Sequence, residues 1–258
     1  MEESRIIDII KRDPYYIKQI KNTTEEMELA AVRKNGMALK YIEAPSCEVQ
    51  WEALRNNIWA IEFIENPSEE MCIFAVEKAW NALKFIKNPS YNVQLQAVKS
   101  KGWAIQFIKS PDAELQYLAV QKDWDSIQYI HNPDLKIQLE AVSKYYGAIK
   151  YISAPDIEVI RAAVKQNAEV VTLFQITDSS VLRMLVMENI DVVKYLKNID
   201  IELVKEVLKQ KLGSEAVTDE YIIKFVKCDT LPIDKIKFIY RYGSKKAKRE
   251  LVDYKLRF

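Results

Sequence analysis

Glycine is scarce in this chain, with five residues in 258, and glycine supplies the turns, bulges and phosphate-cradling loops of many folds. A dinucleotide-binding fold and a turn-rich β-sandwich are thereby disfavoured. One histidine, His131, and three widely spaced cysteines, Cys47, Cys72 and Cys228, cannot assemble a four-cysteine or mixed cysteine-histidine zinc site at the usual spacings, nor a fully paired disulfide framework. No metal and no cofactor is expected, and the unpaired thiol count reads as reduced cysteines in a cytoplasmic protein. No apolar run approaches the roughly 18 residues of a membrane span. The opening Met1-Glu2-Glu3-Ser4-Arg5 is acidic where a signal peptide is basic. What the chain does have is apolar content, 49% of its residues, enough for one large core or two small ones.

The dominant pattern is a repeat. Prolines 45, 67, 89, 111, 133 and 155 follow one another at intervals of 22 residues, and a fixed period must be read before anything else. Counting each proline as column 1, column 9 is alanine seven times running, from Ala31 through Ala53, Ala75, Ala97, Ala119 and Ala141 to Ala163. Column 20 is isoleucine from Ile20 to Ile152. The frame divides the chain into a capping repeat at 1–22, regular repeats over 23–176, divergent repeats over 177–220 and a basic C-terminal cap at 221–258.

Apolar columns 5, 9 and 10, then 16, 17, 19 and 20, are spaced by three and four, the period of helices rather than strands. Each unit is expected to be two short helices. Asn66-Pro67-Ser68-Glu69 suggests an asparagine cap, a proline in the first turn and a capping box closed by Glu69. Gly36, Gly102 and Gly147 are expected to end the first helix in a left-handed conformation. Helices this short need neighbours to cover their apolar faces. The expected fold is all-α, an α-solenoid of about ten two-helix repeats.

The stretch Leu29-Ala30-Ala31-Val32-Arg33-Lys34-Asn35-Gly36-Met37-Ala38-Leu39-Lys40-Tyr41 resembles the repeat of a bacterial and viral family of uncharacterised function, whose units read roughly Leu-x-Ala-Val, a short polar stretch, then Gly-x-Ala-Leu-x-Tyr. The likeness covers about residues 23–176 and carries no enzymatic motif. More distantly it is similar to HEAT-type solenoids. The resemblance implies binding rather than chemistry, and a bacterial or phage factor that modulates a host or defence protein.

Several columns are candidates for function. Column 6 holds Gln50, Gln94, Gln116 and Gln138, on the apolar face, where a buried amide must find partners; a ladder of bonds to inter-helix loops is expected. Trp59, Trp80, Trp103, Trp124 and Tyr146 fill columns 14 and 15. They are expected to staple onto the second helix of their own unit, Trp80 on Phe85, Trp124 on Tyr129 and Tyr146 on Tyr151, while tryptophan is also the side chain most enriched at interface hot spots. Exposed column 18 places Lys84, Gln106, Gln128 and Lys150 beside them. Lysines at helix ends and acids at helix starts follow the helix dipole, yet a cationic row beside tryptophans also suits an acidic peptide or a single-stranded nucleic acid.

Residues 235–258 carry nine basic and two acidic side chains, net +7, leaving −6 for the rest. Lys245, Lys246, Lys248 and Arg249 form a candidate contact for an acidic partner or a phosphate backbone. Phe238, Ile239, Tyr242, Leu251, Leu256 and Phe258 are expected to pack onto the stack. His131 takes a column filled elsewhere by Lys87 and Lys109, so it is expected at the surface. No nucleophile–base arrangement is recognisable, and no catalytic residue is assigned. The leading expectation is a non-enzymatic scaffold that binds a protein along a groove of second helices. The alternative is nucleic-acid binding through the lysine columns and the basic end.

Overall fold

The computed structural model describes residues 2–197 and 199–256. Arg257 and Phe258, read above as part of the basic, packing C-terminal segment, lie outside the described residues. The described chain is all-helical and forms two compact units, Met1–Ile130 and His131–Phe258.

The first unit holds α1 (Glu2–Arg12), α2 (Glu25–Lys34), α3 (Cys47–Asn56), α4 (Glu69–Lys78), α5 (Tyr91–Ser100) and α6 (Ala113–Lys122). Each is followed by a short helix: Pro14–Gln19, Gly36–Tyr41, Ile58–Phe63, Trp80–Phe85, Gly102–Phe107 and Trp124–Tyr129. These second helices are 3-10 rather than α, closed by bonds such as Ala60 N–H to Asn57 O at 2.9 Å. Extended residues at columns 13 and 20 clamp a six-residue segment at both ends, too short for a run of i→i−4 bonds but sufficient for i→i−3 bonds. Its period is therefore three. Columns 16 and 17 are buried, column 18 is exposed, and columns 15 and 18 share an edge.

In this unit α-helices stack on α-helices and 3-10 helices on 3-10 helices. Column 9 alanines and column 16 alanines such as Ala38, Ala60, Ala82 and Ala104 have no exposed surface. Between the layers lie Leu39, Leu54, Ile61, Leu83, Ile105 and Leu115, all but fully buried. A missing side chain at column 14 brings layers closer still: a Cβ on Gly36 or Gly102 would sit 2.3 Å from the carbonyl oxygen of Ala53 or Ala119 in the next repeat. These glycines therefore serve close approach, and none has a positive φ. Left-handed backbone falls instead on Ala44, Asn88 and Asn132, each just before a proline.

The caps also differ from the expected arrangement. The N-cap is the residue after the proline, Ser46, Ser68, Ser90 or Asp112, whose side chain accepts from the amide three residues on. Proline thus precedes the cap, and the glutamate after the cap faces the next repeat. Ser46 Oγ donates to Glu25 Oε1 at 2.5 Å, and Ser90 donates in the same way to Glu69. One hydroxyl caps its own helix and ties it to the helix before.

The second unit continues the pattern with α7 (Leu135–Lys144), α8 (Ile157–Gln166) and α9 (Ser179–Glu188), paired with 3-10 helices Tyr146–Tyr151, Ala168–Leu173 and Ile190–Lys194. It then changes to α-helices alone: α10 (Ile201–Gly213), α11 (Asp219–Val226), α12 (Lys235–Tyr242) and α13 (Lys245–Leu256). Here α11 takes the place of a 3-10 helix. It is anchored by the buried Tyr221 hydroxyl, which donates to Val186 O at 2.8 Å, and that burial raises the phenol above its ordinary range. Phe225, Phe238, Ile239 and Leu251 close the core.

The column 6 glutamines bond where the side chain reaches, to their own leading turn. Gln50, Gln94, Gln116 and Gln138 each donate Nε2–H to the carbonyl of the proline five residues back, at 2.9 Å. Only Gln138 among them is buried, and its Oε1 also accepts from Asp156 N–H of the next repeat at 3.2 Å. The other three are half-buried. Where column 1 is Thr23, column 6 is Glu28 and the polarity reverses, the hydroxyl donating to Glu28 Oε1 at 2.5 Å.

Candidate binding face

The tryptophans lie along the 3-10 layer of the first unit. Trp59, Trp80, Trp103 and Trp124 are half-buried. Three of them have ring partners in the following repeat: Trp59 meets Phe85 with ring centroids 6.1 Å apart, Trp80 stacks on Phe107 at 6.0 Å, and Trp103 meets Tyr129 at 6.1 Å. Tyr15 and Tyr41 continue the series at 5.8 Å. For Trp80 the expected staple on Phe85 is replaced by this ladder for a geometric reason. In a 3-10 helix columns 14 and 19 are nearly two turns apart along the axis, whereas adjoining 3-10 helices bring column 19 of one beside columns 14 and 15 of the last.

The ladder is fixed by polar contacts as well. Trp103 Nε1–H donates to Asp125 Oδ1 at 2.7 Å. Asp123 accepts from Lys101 Nζ at 2.6 Å and from Gly102 N–H at 2.7 Å, and the Lys101 ammonium lies 5.3 Å from the Trp103 ring. Asn56 does the same work three repeats earlier, accepting from Gly36 N–H at 2.7 Å and donating to Arg33 O at 3.0 Å.

Column 18 is the exposed edge of this layer. Lys84 stands over Phe85 at 4.5 Å and Lys40 over Phe63 at 5.8 Å. Gln106 and Gln128 fold back to donate to the carbonyls of Trp103 and Asp125, at 2.9 and 2.8 Å. In the second unit Tyr146 is half-buried against Tyr145, ring centroids 4.9 Å apart, and Lys150 is exposed.

A second row escaped the sequence reading. Column 7 of the α-helices carries Leu29, Trp51, Ile73, Leu95 and Tyr117, all half-buried. Trp51 of this row meets Phe74, column 8 of the next repeat, with ring centroids 5.8 Å apart. A polar contact reaches column 8 from column 11, Arg33 pairing with Glu52 of the next repeat at 3.2 Å, and Arg55 reaches Glu52 at 3.0 Å. The bond from Arg33 leads in holding the Glu52 carboxyl below its ordinary range. The apolar recurrence at column 7 was the signal available.

The basic segment divides by use. Lys246 is half-buried and pairs with Asp219 at 3.2 Å. Glu215 accepts the backbone amides of Lys245 and Lys246 at 2.9 and 3.2 Å, neutralising the start of α13. The side chains of Lys245, Lys248 and Arg249 remain exposed. Tyr242 is half-buried, but Leu256, expected to pack, is 80% exposed. It stands on the outer side of α13, opposite Ala247 and Leu251, which the core takes.

His131 is exposed. Among the described residues no three His, Cys, Asp or Glu side chains gather as a metal site, and no helix is long and apolar enough to cross a membrane. Burial, then the Glu69 charge, raise the Cys72 thiol, which makes it a poor nucleophile at neutral pH. No family model, curated protein or solved structure matches this chain.

Proposed function

We propose that the protein is a non-enzymatic recognition scaffold that binds another protein along the 3-10 face of its first unit. The observation that carries this reading is the aromatic ladder. Rings locked between consecutive repeats present half-exposed edges at a regular interval beside an exposed polar row, so the face is ordered before any ligand arrives. Binding to such a face loses little side-chain freedom.

The same ladder disfavours nucleic acid as the ligand. Stacking of bases needs open aromatic faces, and here Trp80 stacks on Phe107 while Trp59 and Trp103 are held in edge contacts with Phe85 and Tyr129 of the next repeat. Column 18 of this unit is mixed in charge, with Lys18, Lys40 and Lys84 beside Glu62, Gln106 and Gln128. A phosphate-tracking row needs uniform positive charge. The resemblance of the repeat adds a bacterial or phage factor acting on a host or defence protein to this proposal.

The test uses exposed residues, since Trp103→Ala would open the ladder itself. A Lys84→Glu, Gln106→Arg, Gln128→Arg variant should keep its helical signal and melting behaviour while losing capture of its lysate partner by about tenfold or more, because misplaced charge at an interface is strongly unfavourable. Capture equal to that of the unaltered protein, or capture abolished by nuclease, would reject this face.

A further inference from the structure

The outer surface of α12 and α13 in the second unit combines two features that seldom occur together by chance on a solvated surface. Ile236 and Tyr240, one turn apart on α12, are 52% and 78% exposed, and Val252 and Leu256, one turn apart on α13, are 55% and 80% exposed. Scattered apolar side chains are ordinary, but a cluster on adjoining helices marks an interaction site. The two pairs belong to one surface: Lys248, one turn before Val252, places its ammonium 5.7 Å from the Tyr240 ring.

The rim of this surface is cationic. Lys248 heads the Val252–Leu256 row itself, Lys255 lies along one side of it and Lys245 and Arg249 along the other, while Lys237 and Arg241 follow Ile236 and Tyr240 on α12; all six are exposed. Opposing charge is slight, with Asp253 exposed on α13 and Asp234 3.7 Å from Lys237. The core-facing sides of both helices are already occupied by Phe238, Ile239, Ala247 and Leu251. The apolar pairs are thus not required by the fold.

We propose that this surface docks an acidic amphipathic helix of a partner protein. Apolar pairs at i and i+4 on two adjoining helices form the seat into which a third helix sets its own i, i+3, i+4 and i+7 side chains. Cations on both flanks complement carboxylates on both sides of that helix's apolar stripe. A phosphate backbone would use the cations but leave Ile236, Val252 and Leu256 without a role. This docking is independent of the 3-10 face, so either can fail alone.

The experiment titrates the full chain with a labelled synthetic helix of about four turns, leucines on one stripe and glutamates on both flanks, and with its scrambled sequence. Saturable binding is expected, with the scrambled peptide weaker by about tenfold. Ile236→Ser combined with Val252→Ser, and separately Lys248→Glu combined with Arg249→Glu, should each weaken binding by about tenfold, while the triple variant of the 3-10 face binds the peptide as the unaltered protein does. Unchanged thermal melts are expected, since all four side chains are exposed. The proposal is overturned if no saturable binding occurs, if the apolar variant binds as before, or if an oligothymidylate or phosphatidylserine-containing vesicles bind in preference to the peptide.

Discussion

The column 6 glutamines allow a graded test of what holds each leading turn. Gln138 is buried and makes two bonds, to Pro133 O and from Asp156 N–H. Truncation to alanine strands both backbone groups away from water, and each costs about 1–1.5 kcal/mol, so Gln138→Ala should lose about 2–3 kcal/mol. Gln116 makes the single bond to Pro111 O and is half-buried. Water can replace part of what is lost, and about 1 kcal/mol is expected. Gln106 bonds Trp103 O from an exposed edge, and its replacement by alanine should stay within about 0.5 kcal/mol. Gln116→Glu adds a sign: a carboxylate would face the Pro111 carbonyl with no donor between them, and should destabilise more than alanine at neutral pH. Glu28 shows what an acid here requires, since Thr23 supplies the donor. Urea melts followed by far-UV circular dichroism, compared through their midpoints at constant slope, measure the order. Equal losses at columns 6 and 18, or Gln116→Glu milder than Gln116→Ala, would refute the account.

Ser126 stands in the alanine column with no exposed surface and no hydrogen-bond partner for its Oγ, so Ser126→Ala should raise stability by about 1 kcal/mol, and the reverse change at Ala104 should lower it, both read from the same melts. Glu52, held low chiefly by Arg33, has a folded-state pKa below its unfolded one. Its contribution is present above the unfolded pKa and lost as pH falls through the folded one. Glu52→Gln should therefore destabilise near neutrality by less than about 1 kcal/mol, and the difference should shrink as pH falls through the folded-state pKa; a difference that grows on acidification would overturn this assignment.

The two-layer repeat was legible because its register is carried by residues that the core requires at every turn: alanine at column 9, isoleucine at column 20, proline at column 1. The kind of second helix was not. Spacings of three and four fit both periods over six residues, and what selects the 3-10 form is the extended backbone at both ends. The glycines at columns 14 and 15 show the same limit from the other side. Their place at the end of the first helix suggested caps, but Gly36 and Gly102 are there because a carbonyl of the next repeat occupies the space of a Cβ. Contacts between repeats are invisible to a reading that treats each unit alone, and that is why Trp80 was matched to Phe85 when its ring lies on Phe107. The exposed cluster of Ile236, Tyr240, Val252 and Leu256 was hidden for a different reason. Beyond α10, whose Leu203, Val207 and Leu208 still keep register and are buried, the 22-residue frame no longer tells which side of a helix faces inward.

Pairing across repeats also makes the first unit's array modular in copy number. The column 19 residues of its regular repeats, Tyr41, Phe63, Phe85, Phe107 and Tyr129, are all aromatic, so the residue that completes a tryptophan is an aromatic ring whichever regular repeat follows. Removing the residues from Pro67 through Asn88 would set Trp59 against Phe107 in place of Phe85, and duplicating them would insert one more rung. Unequal exchange between repeats could thus lengthen or shorten the recognition face in steps of 22 residues without redesign of the aromatic ladder, and a family of such proteins would vary in reach before it varied in sequence.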